Sequence, residues 1–303
     1  MANDITIIIP VYNRAGIVGP TLDAVAAQTW RPLNVILVDN ASTDNTLQVL
    51  NQWKKSVERP DFKVEVIEER TPGASAARNA GLRRATTRWT MFFDSDDIML
   101  PQHVEKAMTY AAAHPQAEVI GWDRAINTRD GKRIIRRFSH SAHNFNNVFH
   151  SIMSTLTYMA RTSLFIKAGL WNEKISMGDD IELGQRILAL DPVVNKATGP
   201  VTVEVQQSRL SISSENSFNI NSFVAAYESV RQQLPPAQRH WVDLRYIVLA
   251  TNEARDDNHS KAFVAEILKH TPRRRRWLWN IFYKYSLAGG RGVAFLYKPI
   301  RWI

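Results

Sequence analysis

The sequence of 303 residues contains no cysteine. Disulfide bonds, thiolate zinc sites and cysteine nucleophiles are therefore excluded, which fits a reducing compartment. Residues 1–10 include no basic segment and no apolar stretch long enough for a signal peptide, and nowhere do about 18 to 20 apolar residues follow one another. We therefore expect a cytoplasmic location. Hydrophobic residues make up 45% of the chain, which is enough to build a sizeable buried core.

Acidic residues are almost missing from the C-terminal end. The net charge is +9, and residues 261–303 hold ten Lys or Arg against the single Glu266, while residues 1–260 hold 28 of each sign. Residues 273–303 combine eight basic and eight aromatic side chains, a pattern that suits the headgroup boundary of an anionic leaflet. We expect a peripheral anchor on the inner face of the membrane. A basic helix packed on the rest of the protein is the alternative, and no nucleic-acid partner is expected.

Short apolar runs alternate with helical patterns over the first hundred residues. Such alternation with short connections is typical of βα units on a parallel sheet, where ligands bind beyond the carboxyl ends of the strands. Pro10 is expected to end the first strand. The predicted strands cover residues 5–9, 35–38, 64–67 and 89–93, and the predicted helices cover residues 21–29, 47–57 and 74–85.

The fourth predicted strand leads into a cluster of aspartates in FFDSDD, residues 92–97. A strand with a period of two residues would place Asp94 and Asp96 on the same side, so that their carboxylates converge. Hard oxygen ligands at this spacing suit Mg²⁺ or Mn²⁺, which would in turn hold phosphate. An exposed acidic loop that closes a strand is the alternative for this motif taken alone.

Several motifs follow one another along the chain. They are IPVYN at 9–13, VDNASTDNT at 38–46, GASAARNAG at 73–81, FFDSDD at 92–97, and YMARTSLFIKAGLWNE with GDDIELGQRIL within 158–188. In order and spacing they resemble the family 2 glycosyltransferases of the GT-A fold, over roughly the first 210 residues. The resemblance implies an α/β, Rossmann-like fold. Residues 1–100 would form its nucleotide-sugar-binding half, 101–215 its acceptor-binding half and 216–303 a helical extension.

The resemblance also implies which residues contact a nucleotide-sugar donor. They are Pro10, Tyr12, Asn13, Asp39, Arg78, Asp94, Ser95 and Asp96. Asp39 would accept the ring N–H of a uracil and Tyr12 would stack on that base, whereas a helix-capping aspartate and a partly buried core tyrosine are the alternatives. The planar guanidinium of Arg78 suits a phosphate or a carbonyl edge.

A divalent metal, Mn²⁺ or Mg²⁺, is the cofactor that the resemblance implies. Asp96 is expected to be its direct ligand, with Asp94 as the second carboxylate of the pair. Some relatives place a histidine near the metal or diphosphate in a later segment. Here that segment reads VQQSRLSIS, with Ser208 near the expected place, and Arg209 would meet phosphate instead.

A second carboxylate pair, Asp179 and Asp180, precedes a predicted helix over residues 181–190. The resemblance implies that Asp180 is the catalytic base, which takes the proton of an acceptor hydroxyl as that hydroxyl attacks the anomeric carbon with inversion. A carboxylate that caps the helix is the alternative reading of this pair.

The implied function is transfer of a sugar from a nucleotide-diphospho-sugar, expected to be a UDP-sugar, to a glycan or lipid-linked acceptor, as in surface polysaccharide assembly. A haloacid dehalogenase-type phosphatase with Asp94 as nucleophile is one alternative, because FFDSDDIML also fits that pattern. Those enzymes usually carry the motif on the first strand, whereas three βα units precede it here. A non-catalytic nucleotide-binding module is a further alternative, but it would need a broken metal or base position.

Overall fold

The computed structural model describes residues 5–141, 143–207, 220–252 and 258–288. Its first part alternates strands with helices, as predicted. The elements are β1 (Ile5–Val11), α1 (Gly19–Ala26), β2 (Leu33–Asp39), α2 (Thr46–Val57), β3 (Phe62–Glu68), α3 (Ala74–Arg84) and β4 (Trp89–Phe92).

The second part contains shorter strands, three of which complete the central sheet, and further helices. Its elements are β5 (Ile98–Met99), α4 (His103–Ala113), β6 (Val119–Gly121), β7 (Arg124–Asn127), β8 (Arg133–Arg136), α5 (His143–His150), β9 (Tyr158–Arg161), α6 (Thr162–Lys167), α7 (Asp179–Ala189), β10 (Val194–Lys196) and β11 (Val203–Gln206). The described residues beyond them are helical, as predicted: α8 (Ile220–Gln233), a 3-10 turn (Pro236–Gln238), α9 (His240–Asn252), α10 (Asn258–His270) and α11 (Arg273–Leu287). The division into a donor half, an acceptor half and an extension stays a prediction.

A seven-stranded sheet with the order β10-β6-β9-β4-β1-β2-β3 forms the centre of the fold. Strands β1 to β4 pair in parallel, which confirms the predicted βα arrangement. β9 runs antiparallel to both of its neighbours. A second sheet, with the order β5-β11-β7-β8, lies beyond β4 in the chain and contributes one side of the site described below.

The central strands are buried on both faces, as their apolar sequences require. In β1, Ile7 and Ile9 belong to one apolar cluster, while Ile8 belongs to the cluster that contains α3. α3 lies close to the sheet because Gly81 has no side chain: a Cβ there would stand 2.5 Å from the Cγ2 atom of Ile8. The sequence therefore sets how near the residues of α3 come to the carboxyl ends of the strands.

The expectation that Pro10 ends β1 is wrong, because the strand continues to Val11. The carbonyl of Ile8 accepts a hydrogen bond from the amide of Phe93 on the β4 side. Pro10 lies two residues further on and faces the same side, where pairing with β4 has already ended. Its missing N–H therefore breaks no pair of the ladder, and proline is tolerated at this place.

The C-terminal helices build their own apolar cluster against α7. Tyr227 of α8 and Ile247 of α9 belong to it, together with three residues on one face of α11: Leu278, Trp279 and Phe282. α11 thus packs on the protein with this face, as the packed-helix alternative expects. In the described part of the chain, every helix is too short or too polar to cross a bilayer.

Candidate active site

The aspartate cluster forms a turn directly after β4. Because β4 ends at Phe92, alternation along a strand does not orient Asp94 and Asp96, and that part of the prediction is wrong. The two carboxylates nevertheless interact. The pKa of Asp96 is raised by burial and then by the charge of Asp94, while Arg14, at 3.7 Å from Asp96, partly offsets this. Ser95 between them is buried.

Asp97 anchors this turn to the rest of the protein. Its Oδ1 accepts a hydrogen bond from the amide of Gln206 at 2.8 Å, and its carbonyl accepts one from the hydroxyl of Thr21 at 2.9 Å. Burial, followed by the charge of Asp94, raises the pKa of Asp97 to about 8. Asp97 therefore joins β11 to the turn through its carboxyl group and α1 through its backbone carbonyl.

Arg78 of α3 joins the two acidic motifs. Its Nη2 donates to Oδ1 of Asp94 at 3.1 Å, and its Nη1 donates to Oδ2 of Asp179 at 2.8 Å. The guanidinium carbon lies 4.6 Å from the centre of the Trp171 ring. Burial lowers the pKa of Arg78, but the two carboxylates outweigh it and the net shift is upward. Both terminal nitrogens of Arg78 donate to carboxylates, so this side chain holds the two acidic motifs together. Its contact with a nucleotide stays a prediction.

Asp180 lies in the first turn of α7 beside the fixed carboxylate of Asp179, which also accepts a hydrogen bond from Ser75 at 3.1 Å. Gly178, with φ of 75°, occupies the N-cap position, so neither aspartate is the N-cap residue. Oδ1 of Asp180 nevertheless accepts a hydrogen bond from the first-turn amide of Ile181 at 2.7 Å, as the helix-capping alternative expects. Burial and then the charge of Asp179 raise the pKa of Asp180 to about 6, although Arg124 and Arg78 act in the opposite direction. A carboxylate with this pKa is ionised yet still basic near neutral pH.

Asp39 ends β2 with its side chain buried. Oδ2 accepts a hydrogen bond from the amide of Ser42 at 3.2 Å, while Oδ1 is buried and finds no partner among the described residues. α2 begins only at Thr46, so the helix-cap alternative is wrong here too. A buried acceptor left unpaired costs about 1–3 kcal/mol, which a ligand with an N–H group would recover.

Tyr12 follows β1 and is 56% exposed, which contradicts the alternative of a core tyrosine. The next residue, Asn13, links two loops: its amide donates to Oγ of Ser42 at 3.0 Å, and its Oδ1 accepts from the amide of Thr43 at 2.8 Å. Pro10 lies next to Val38 of β2 in the sheet register. The loops after β1 and β2 are thus held together where Tyr12 and Asp39 emerge.

Asn40 holds the loop that leads into α3. Its Nδ2 donates to the carbonyls of Glu69 and Thr71, and its Oδ1 accepts from the amide of Gly73. An aspartate could not donate these two hydrogen bonds. The asparagine therefore positions the start of α3, the helix that carries Arg78.

Three residues that interact with the carboxylates were not predicted as site residues from the sequence. Thr155 donates to Oδ2 of Asp94 at 3.1 Å, and Arg14 faces Asp96. Arg124 of β7 is the third: burial lowers its pKa, while Asp180, Asp97 and Asp94 act to raise it, so its charge lies among all three. These contacts join segments far apart in the sequence. Ser208 and Arg209 lie outside the described residues.

The carboxylates fit a metal that is shared with a substrate. Within the described ranges, no group of three or more His, Cys, Asp or Glu side chains is placed to hold an ion. Mg²⁺ at a diphosphate commonly takes only one or two carboxylates, with phosphate oxygens completing its shell. Asp96 suits this role because a cation would relieve the repulsion from Asp94. Both oxygens of Asp94 already accept hydrogen bonds, from Arg78 and Thr155, so its role as a ligand stays a prediction.

A mixed sheet with acidic residues beyond the carboxyl ends of its parallel strands is the arrangement of the GT-A class of nucleotide-diphospho-sugar transferase folds. The chain belongs to glycosyl transferase family 2, whose model matches residues 6–169. The crystal structure of S. aureus TarS 1-349 in complex with UDP-GlcNAc superposes with a TM-score of 0.70 over 98% of this chain and 92% of that one. The two sequences are 15% identical, so this likeness shows the fold alone.

Curated relatives match part of the chain in shorter alignments. The uncharacterized glycosyltransferase YibD of Escherichia coli is 31% identical over 109 residues, which are 36% of this chain and 30% of that protein. The poly(ribitol-phosphate) beta-glucosyltransferase of Bacillus spizizenii is 33% identical over 129 residues, which are 41% of this chain and 20% of that protein. The chain therefore spans less than a third of the length of either relative.

Proposed function

We propose that the protein is an inverting glycosyltransferase that moves a sugar from a UDP-sugar to a hydroxyl group of a glycan or lipid-linked acceptor. The observation that carries this proposal is the bridge made by Arg78, which brings the turn of Asp94 and Asp96 and the pair Asp179 and Asp180 into one site. A donor diphosphate and an acceptor hydroxyl can then be served by neighbouring carboxylates.

The donor end of the site rests on Asp39 and Tyr12. The unpaired Oδ1 of Asp39 suits the N3–H of uracil, and the exposed ring of Tyr12 suits stacking on a flat base. The complex of TarS with UDP-GlcNAc supports a uridine nucleotide for a protein of this fold. The resemblance to a poly(ribitol-phosphate) glucosyltransferase supports a surface polymer or its precursor as acceptor.

In the proposed reaction, the acceptor oxygen attacks the anomeric carbon while the bond from that carbon to the diphosphate oxygen breaks. Asp180 takes the proton of the hydroxyl, and attack from the side opposite the leaving group inverts the anomeric centre. Its pKa of about 6 suits this transfer. Arg78 and Ser75 both donate to Oδ2 of Asp179, and we assign the proton to Asp180, whose Oδ1 accepts a hydrogen bond from the amide of Ile181.

Asp96 would hold a divalent cation, Mn²⁺ or Mg²⁺. When bound, such a cation neutralises charge on the departing diphosphate. Arg14, at 3.7 Å from Asp96, adds a further positive charge near this carboxylate.

The two alternative functions find less support. A phosphatase nucleophile at Asp94 would need a carboxylate oxygen directed at substrate, but both oxygens accept hydrogen bonds from Arg78 and Thr155. A non-catalytic module would not need the raised pKa of Asp180 beside the nucleotide site. Membership of glycosyl transferase family 2 also favours transfer over either alternative.

The proposal is tested with a panel of nucleotide sugars in the presence of Mn²⁺, followed by release of the free nucleotide with and without acceptor glycans. We expect hydrolysis or transfer with at least one UDP-sugar and no release of inorganic phosphate from phosphomonoesters. Asp180→Asn should lower the rate by roughly 10² to 10⁴ while UDP binding survives. Asp23→Asn, on the exposed side of α1, is the matched control. Normal turnover by Asp180→Asn would show that another residue is the general base.

A further inference from the structure

α11 has apolar side chains on two faces, one buried and one exposed. One face carries Leu278 and Trp279, which are buried in the helical cluster. The other face carries Trp277, Ile281 and Tyr285, which are 58%, 51% and 40% exposed. Positions four residues apart lie one above another on a helix, so these three form a continuous stripe along the outer face.

Cations lie along the same outer face. Arg273 precedes Trp277 by four residues, Lys284 follows it by seven, and Arg274 lies beside this row; all three are exposed. Arg276 belongs to the inside instead, because its guanidinium donates to the carbonyls of Lys269 and Thr271 at the end of α10. The sequence contains no Asp or Glu after position 266. The outer face of α11 therefore combines an exposed apolar stripe with charged side chains that are all positive.

We infer that the outer face of α11 is a docking surface for an anionic membrane. Lys and Arg would meet lipid phosphates, Trp277 and Tyr285 would lie at the headgroup boundary, and Ile281 would enter the acyl region below it. The phosphates of a nucleic acid would pair with the cations but would not bury the exposed side chain of Ile281. An acidic protein partner is disfavoured for the same reason, since it would meet the stripe with charged groups.

The packing of α11 changes how such an anchor works. Its inner face is buried against α9, so the docking surface is part of the folded protein and not a separable tail. The membrane would then hold the folded protein directly through α11. This inference does not depend on the proposed transfer reaction. The location on the cytoplasmic face of the membrane, expected from the sequence, stays a prediction.

The test measures sedimentation of the full-length protein with two kinds of vesicle: phosphatidylcholine alone, and phosphatidylcholine mixed with phosphatidylglycerol in about equal parts. We expect binding to the anionic vesicles and its loss as salt is raised, because salt screens exposed charges. Arg273→Glu with Arg274→Glu should weaken partitioning by roughly thirtyfold or more. Trp277→Ser with Ile281→Ser should weaken it by roughly tenfold and leave the salt dependence in place.

Two double variants elsewhere serve as matched controls. Lys55→Glu with Lys63→Glu makes the same change in net charge at exposed positions of α2 and β3, and Ile134→Ser with Ile135→Ser removes the same kind of exposed apolar area from β8. Both should bind anionic vesicles as the unaltered protein does. Equal binding to neutral vesicles, or equal losses in the α11 variants and the controls, would overturn the inference. Binding to single-stranded RNA without binding to anionic vesicles would assign the surface to nucleic acid.

Discussion

Arg78 and Asp179 form a hydrogen-bonded ion pair of 2.8 Å across 101 positions of the chain. Because the same guanidinium also pairs with Asp94, one buried cation neutralises one carboxylate from each acidic motif. Asp96 and Asp180 are the members of the two motifs that Arg78 does not hold. The site thus contains two carboxylates that Arg78 holds and two that it does not, and we propose that the second pair serves the substrates.

Arg78→Met should damage both stability and activity. It leaves two carboxylates without their buried partner, and breaking such a pair costs about 3–5 kcal/mol. We expect a lower free energy of unfolding in urea and a loss of turnover. Arg83→Met is the control on the same helix, because Arg83 is exposed and pairs only with the exposed Glu173 at 3.3 Å. Equal stability of the two variants would show that the bridge does not support the site.

The rate should follow the ionisation of Asp180. Its pKa of about 6 predicts that kcat is constant above this pH and falls about tenfold for each pH unit below it, because the protonated acid cannot accept a proton. Arg124→Gln removes a cation that lowers this pKa, so the acid limb should move to higher pH. Arg136→Gln, exposed on β8, should leave the profile unchanged. If Arg124→Gln does not shift the pH profile, the charge of Arg124 does not act on the catalytic base.

Asp39→Asn should change the base preference. The amide of Ser42 needs an acceptor, so the asparagine oxygen would stay at the Oδ2 position and its NH₂ group would replace the unpaired Oδ1. Two donors would then face each other at uracil N3, and UDP affinity should fall by roughly 10- to 100-fold. CDP, whose base has an acceptor at N3, should lose less. Calorimetry with both nucleotides measures this, and an equal loss for both would place the base elsewhere.

Asp96→Ala should abolish the dependence of UDP binding on metal. The diphosphate would then face Asp94 without a cation between them, so affinity with Mn²⁺ should fall to the level seen in EDTA. Asp61→Ala, at an exposed position before β3, should keep the full response to Mn²⁺. UDP affinity of the unaltered protein that is the same in EDTA and in Mn²⁺ would exclude this metal site.

Gly81→Ala should destabilise the protein even though alanine favours helices. The added Cβ would stand 2.5 Å from Ile8 and 3.3 Å from Val38, which forces α3 away from the sheet and costs about 1–3 kcal/mol. Because α3 carries Arg78, turnover should fall as well. Gly16→Ala, at an exposed position before α1 with open space around it, is the control and should be neutral or stabilising. Matching unfolding curves for the two variants would contradict the close approach.

The order of strands and helices was predictable because each buried strand is an apolar run and each helix has its own period. The acidic residues were predictable as motifs, since Asp39 and Asp94 follow directly on predicted strands and Asp180 directly precedes a predicted helix. The end of β1 was predicted wrongly from the local sequence, because a strand can continue through Pro10 only if the neighbouring strand β4 has already stopped pairing there. That neighbour lies some eighty residues away in the chain.

The partners of the acidic residues were not predictable from spacing. Arg124, Thr155 and Arg14 reach the site from three separate segments, and an isolated Arg or Thr in the sequence has no pattern that distinguishes it from a surface residue. Arg78 was identified through its motif, yet its pairing with Asp179 depends on how α3 and α7 meet. Tertiary packing, rather than any property of one segment, decides which carboxylates are neutralised.

The close contact at Gly178 sets the limits of a minimal functional fragment. A Cβ on this residue would stand 3.0 Å from the ring of Phe223 in α8, so the start of α7 rests on the C-terminal helices. The region that matches the family ends at residue 169, before Gly178 and before both members of the second carboxylate pair. A fragment trimmed to that boundary would retain Asp39 and Tyr12, which we propose bind the base, but would lose Asp180, the proposed proton acceptor. If these roles hold, exchange of the C-terminal helices between homologues should alter the reacting end of the site and spare nucleotide choice.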